Sequence, residues 1–124
     1  MSAAPLASLF SGARQDAYGT GEGRVIRAPL TLAHFEAHTK GGGPGLGLFP
    51  LRDDGTVEFA AVDLDLPDLD GIKMIQSCLP APSWIEKSRS GNYHLWVFFD
   101  GPCPAWVARG LMREACKVSG YPRA

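Results

Sequence analysis

The chain has 124 residues, enough for one modest core and too few for two, so a single domain over residues 1–124 is expected. Its net charge of −1 argues against a dedicated non-specific nucleic-acid binder, which is usually basic, and any nucleic-acid contact must come from local patches. Three widely spaced cysteines (Cys78, Cys103 and Cys116), with no Cys-x-x-Cys pair, argue against a structural zinc site or a disulfide framework.

No apolar run approaches the roughly 18 residues that span a bilayer, and no charged leader precedes an apolar stretch, so a soluble cytoplasmic protein is expected. Glycine and proline cut the chain into short pieces. Ala4 to Phe10 predicts a short helix or an arm, and Gly19 to Gly23 a loop. Thr31 caps a predicted helix running to about Thr39, with Leu32 and Phe35 on its buried side and the glycines after Lys40 stopping it. The run Gly41-Gly42-Gly43-Pro44-Gly45 lacks the Lys and Ser/Thr of a P-loop and reads as a linker.

Leu46 to Leu51 and Val57 to Asp65 predict two strands of a hairpin around the Asp53-Asp54-Gly55 turn. Asp68 caps a helix in which Leu69, Ile72, Ile75 and Leu79 recur at helical spacing, and Pro80 and Pro82 end it. Trp84 to Lys87 and Tyr93 to Phe99 form two further strands joined by the turn Ser88 to Asn92. The last of these is apolar on both faces and therefore central in its sheet. Pro104 opens a final helix to about Val118, with Val107, Ala108, Leu111 and Ala115 toward the core. The fold class is α+β, a sheet with helices packed largely on one face.

Strand alternation puts Asp63 and Asp65 on one face and Val62, Leu64 and Leu66 on the other. Two adjacent carboxylates repel, and a divalent cation turns that repulsion into shared coordination. Two readings stand: a metal-binding pair that positions phosphates, or two solvated acids in an acidic stretch with Asp68 and Asp70. His94 alternates with Trp96 and Phe98, as a rim histidine or as a ligand contact. The preceding turn offers Ser88, Ser90 and Asn92 as donors, Gly91 for close backbone approach and Arg89 as a cation, a set suited to a triphosphate. Lys87, Arg109 and Arg113 are candidate nucleic-acid contacts, the last two on a helix face that is otherwise simply solvated. Tyr18, Trp84 and Tyr93 are either packing residues or base-stacking platforms.

The order of these motifs, Val62-Asp63-Leu64-Asp65 and then Ser88-Arg89-Ser90-Gly91-Asn92-Tyr93-His94-Leu95-Trp96-Val97-Phe98-Phe99, resembles the archaeo-eukaryotic primase superfamily. The likeness is to the primase-polymerase branch of phages, plasmids and mobile bacterial systems. It extends to Leu9-Phe10-Ser11-Gly12-Ala13-Arg14-Gln15-Asp16-Ala17-Tyr18 and to Gly47-Leu48-Phe49-Pro50-Leu51.

The resemblance implies an RRM-like antiparallel or mixed catalytic sheet, with Asp63, Asp65 and His94 catalytic. Asp63 and Asp65 would bind Mg2+ or Mn2+; Ser88, Arg89, Ser90, Gly91, Asn92 and His94 would bind the nucleotide. The implied reaction is templated nucleotidyl transfer with NTPs or dNTPs on single-stranded DNA in DNA replication, in a bacterial or phage-infected cell. A helicase or other downstream domain is an implied partner. The superfamily's third acidic motif has no counterpart after His94, where Asp100 and Glu114 are the only acids. The expectation is therefore the N-terminal part of a catalytic module truncated at its C-terminus. The alternative is a non-catalytic nucleotide- or nucleic-acid-binding module on the same fold. A missing strand would leave a sheet edge through which a homodimer could form.

Overall fold

Arg14 organises the first part of the chain, in a computed structural model that describes residues 4–41, 45–88 and 90–120. The chain divides into two compact units, Met1–Gly55 and Thr56–Ala124. In the first, α1 (Ala4–Leu9) leads into β1 (Tyr18–Thr20), which pairs antiparallel with β2 (Val25–Ile26). The expected loop at Gly19 to Gly23 is thus a short hairpin, begun by Gly19 opposite Val25. In α2 (Leu32–Lys40), the Thr31 N–H donates to His34 Nδ1 at 3.0 Å, so a histidine takes the place of the usual Glu or Gln in a capping box. Phe35 is buried as expected, whereas Leu32 is 47% exposed.

The expected hairpin between Leu46–Leu51 and Val57–Asp65 does not form. The strand there is only β3 (Leu46–Gly47), and it pairs with β1, through Gly19 opposite Gly47. A Cβ on Gly47 would lie 3.3 Å from the Gly19 Cα, so this close backbone approach depends on glycine. The segment that follows is held by Arg14 instead of by a neighbouring strand. The Arg14 N–H donates to the Phe49 carbonyl at 2.8 Å and its Nε to the Leu51 carbonyl at 3.2 Å. Its guanidinium donates to Asp53 at 2.6 Å and Asp16 at 3.4 Å. The bond to Asp53 raises the pKa of Arg14 above its ordinary value.

The second unit contains β4 (Thr56–Leu64), α3 (Leu69–Ser77), β5 (Ser83–Lys87), β6 (Tyr93–Pro104) and α4 (Ala105–Val118). The sheet order is β4-β6-β5, all antiparallel, with the doubly apolar β6 central as expected. Asp68 caps α3 by accepting the Gly71 N–H at 2.9 Å. Val62, Leu64, Leu95 and Val97 on one sheet face meet Ile72 and Ile75 of α3 and Met112, Ala115 and Cys116 of α4. The buried stripe of α4 is Ala108, Met112, Ala115 and Cys116, so Met112 and Cys116 replace the expected Val107 and Leu111. A shift of one residue turns a helix by about 100°, and Val107 is left 40% exposed. The other sheet face carries Phe59, Ala61 and Asp63 of β4, His94, Trp96 and Phe98 of β6, and Trp84 and Glu86 of β5. Among the described residues, no helix is long and apolar enough to cross a membrane.

Leu95 is fully buried at the centre of this sheet. Leu95→Ala is expected to cost about 3 kcal/mol of unfolding free energy, read from urea denaturation. Burial also pushes the Cys116 thiol up, so less thiolate is present at mildly alkaline pH. Under native conditions Cys116 should be alkylated more slowly than the half-buried Cys78 and Cys103, as followed by mass spectrometry.

Candidate functional site

One rung of the second unit's sheet brings together Asp63, His94 and Glu86. β4 is registered so that Asp63 lies opposite His94, and β5 so that Glu86 lies opposite His94 from the other side. The β5–β6 register follows from the Ser88–Asn92 turn. The Ser88 N–H donates to the Asn92 carbonyl at 2.8 Å and the Gly91 N–H to the Ser88 carbonyl at 3.0 Å. Gly91 has φ 90°, a left-handed backbone that a side chain would strain. Closing the turn there puts Lys87 opposite Tyr93 and Glu86 opposite His94.

Within the rung, His94 Nε2 is 3.5 Å from Asp63 Oδ1, and His94 Nδ1 is 3.0 Å from Glu86 Oε1. The same Glu86 oxygen accepts a hydrogen bond from Trp96 Nε1 at 3.1 Å. The side chains of Asp63 and Glu86 are 65% and 56% exposed, and that of His94 is 33% exposed, so the rung is open to a ligand. Its floor is aromatic. Trp96 lies edge-on to His94 at 6.3 Å and tilted against the buried Phe59 at 6.3 Å, while Trp84 meets Phe98 edge-on at 5.3 Å.

Asp65 lies one residue beyond the end of β4 and is exposed, at the same end of the sheet as the Ser88–Asn92 turn. The Ser88 and Ser90 hydroxyls are 2.9 Å apart and hydrogen-bond each other, and Gly91 and Asn92 are half-buried beside them. Arg89 lies outside the described residues. Asp63, Asp65, Ser88, Ser90, Gly91, Asn92 and His94 are therefore gathered at one end of one sheet.

The candidate cations are not gathered there. Lys87 alternates with Glu86 onto the Ile85 side of β5, and Arg109 and Arg113 are exposed on α4, which covers the sheet face opposite the rung. Of the candidate stacking residues, Tyr93 packs against the helix-covered core and Tyr18 packs tilted against the His34 ring at 4.3 Å. Trp84 is 53% exposed on the face of the rung.

Glu86 is the functional candidate that sequence reasoning overlooked. The signal was present: counting outward from the Ser88–Asn92 turn pairs position 86 with position 94. Among the described residues, no group of three or more His, Cys, Asp or Glu side chains is arranged to hold a metal ion. The first unit has a separate cleft of about 440 Å³ lined by Arg14, Asp16, Ala17, Val25, Arg27 and Phe49. Its Arg14 is already committed to Asp53 and Asp16.

A comparison with curated proteins found no match. Residues 8–120 match the family model described as the TOTE conflict system, archaeo-eukaryotic primase domain. The match includes both aspartates of the β4 strand end, the Ser88–Asn92 turn and His94. The chain belongs to the archaeo-eukaryotic primase domain family of TOTE conflict systems, and through it to the archaeo-eukaryotic primase superfamily.

Proposed function

We propose that the Asp63–His94 end of this sheet binds a nucleoside triphosphate with a divalent cation, as part of a primase-polymerase catalytic module. The reaction on this reading is templated nucleotidyl transfer. A 3′-hydroxyl, or the hydroxyl of a first nucleotide, attacks the α-phosphate of an NTP or dNTP, and pyrophosphate leaves. The observation that carries the proposal is the cross-strand approach of His94 to Asp63, 3.5 Å apart, beside Asp65 and the Ser88–Asn92 turn. Family membership supports the reaction class and ties it to a conflict system. The antiparallel sheet with α3 and α4 on one face supports an RRM-like catalytic sheet.

Asp63 and Asp65 are the residues that would hold Mg2+ or Mn2+. Both are exposed carboxylates, and magnesium is ordinarily bound by one or two carboxylates together with substrate phosphates and water, which fits this donor set. A bound ion would supply neutralisation of the charge that develops at the reacting α-phosphate. His94 presents Nε2 on the side of Asp63, where it would donate to a phosphate oxygen. Ser88 and Ser90 offer hydroxyls, Asn92 an amide, Gly91 close backbone approach and Arg89 a permanent cation to the remaining phosphates. Trp84, exposed on the same face, offers a stacking surface for a base of a single-stranded template. Arg109 and Arg113 lie on the far side of the sheet, so a role for them is contact with the nucleic-acid backbone away from the reacting phosphates.

A second reading, a non-catalytic nucleotide- or nucleic-acid-binding module, is favoured by the positions of the two acids that follow His94. Asp100 lies toward the far end of β6 and Glu114 on α4, so neither joins Asp63 and Asp65 as a third carboxylate.

Titration calorimetry with Mn2+ and ATP or dATP should show metal-dependent binding that Asp63→Ala weakens at least about tenfold, the scale of losing one charge-assisted contact. Absence of metal-dependent nucleotide affinity in the intact chain would overturn the enzyme and the nucleotide-binding form of the second reading. Primer synthesis on single-stranded DNA separates them: product supports the enzyme, and nucleotide binding without product supports the binding module.

A further inference from the structure

We propose that Glu86 is the positioning residue of His94, holding Nδ1 as a hydrogen-bond donor and so turning Nε2 toward Asp63 and the nucleotide side of the rung. The role as it bears on nucleotides rests on the function proposed above; the effect on the imidazole does not.

An ionised carboxylate has no proton to donate, so the 3.0 Å contact between Glu86 Oε1 and His94 Nδ1 requires the hydrogen to sit on Nδ1. That assigns Nδ1 as a donor by chemistry. Nε2 is then the nitrogen that faces Asp63, at 3.5 Å. Without a partner on Nδ1, the terminal torsion of a histidine is broad and roughly two-fold, and the ring can present either nitrogen.

Glu86 is itself held. The Trp96 indole N–H, which can only donate, reaches the same Oε1 at 3.1 Å. Trp96 rests against Phe59, which is 1% exposed. The chain of support runs from a buried phenylalanine through the indole and the carboxylate to the imidazole, all on one face of one sheet. This is the arrangement by which an outer carboxylate sets the orientation of a working histidine. Its competitor is an exposed ion pair of no consequence, a frequent occurrence at 56% and 33% side-chain exposure.

The test uses the intact chain with Glu86→Ala, Glu86→Gln, His94→Ala and the Glu86→Ala/His94→Ala double variant. Nitrogen-15 NMR of the histidine rings is recorded at about pH 8.5. The expected result is a proton on Nδ1 in the parent and in Glu86→Gln, whose amide oxygen still accepts, and a shift toward the form protonated on Nε2 alone in Glu86→Ala. An unchanged His94 tautomer in a folded Glu86→Ala variant overturns the proposal.

Calorimetry with Mn2+ and ATP supplies the second arm. Glu86→Ala should weaken nucleotide binding roughly five- to tenfold, Glu86→Gln by less than about threefold, and Glu86→Ala should add nothing once His94 is alanine. If the Glu86→Ala loss persists undiminished in the His94→Ala background, Glu86 acts on the ligand directly and the positioning role is wrong. A parent that binds no nucleotide defeats the proposed function, and the tautomer measurement alone then decides whether Glu86 positions His94.

Discussion

The antiparallel register of β6 against its two neighbours is the constraint on which the site depends. Side chains alternate along a strand, so a slip of one residue would move Asp63 or Glu86 to the helix-covered face and bring an apolar residue opposite His94. Two different devices hold the register. On the β5 side it is local, set by the Ser88–Asn92 turn with Gly91 in a left-handed conformation. On the β4 side it is non-local, set by Val62 and Leu64 sharing a core with Leu95, Val97 and the buried isoleucines of α3. Apolar burial at roughly 25 cal/mol per Å² outweighs the weak preferences of the exposed polar residues, so the core decides which acids meet the histidine.

The two faces of this sheet divide the work. One face is an aliphatic layer closed by α3 and α4. The other runs from aromatic residues at Phe59, Phe98 and Trp84 to polar ones at Asp63, His94 and Glu86. Charged groups at this end keep most of their hydration, so gathering two acids around an imidazole carries little of the desolvation cost that burial would impose. The same openness gives a ligand access to the rung.

Periodicity was a good guide where one element answers to its own residues. Asp68 does cap α3, Ile72 and Ile75 are fully buried, and the doubly apolar β6 is central. It misled where partners are chosen at a distance. Leu46 to Leu51 looks like half of a hairpin, yet Arg14 holds its backbone and Gly47 lies against Gly19. The Asp53-Asp54-Gly55 signal still describes a real turn, with the Gly55 N–H donating to the Arg52 carbonyl at 3.0 Å. In α4 the helix was legible but its phase was not, because Met112 and Cys116 fill the core space as readily as Val107 and Leu111 would have.

For the site, residue types and their spacing in the sequence by themselves singled out Asp63, Asp65, His94 and the Ser88–Asn92 turn as candidates for one site. Those are local patterns, and a motif survives in the sequence whatever lies around it. Only the tertiary structure decided which of these groups touch. It joined His94 to Asp63, added Glu86 and Trp96 to the histidine's surroundings, and put Arg109 and Arg113 on the covered side of the sheet. Contacts between strands depend on register and on which face the helices cover, and both are settled by packing between residues far apart in the chain.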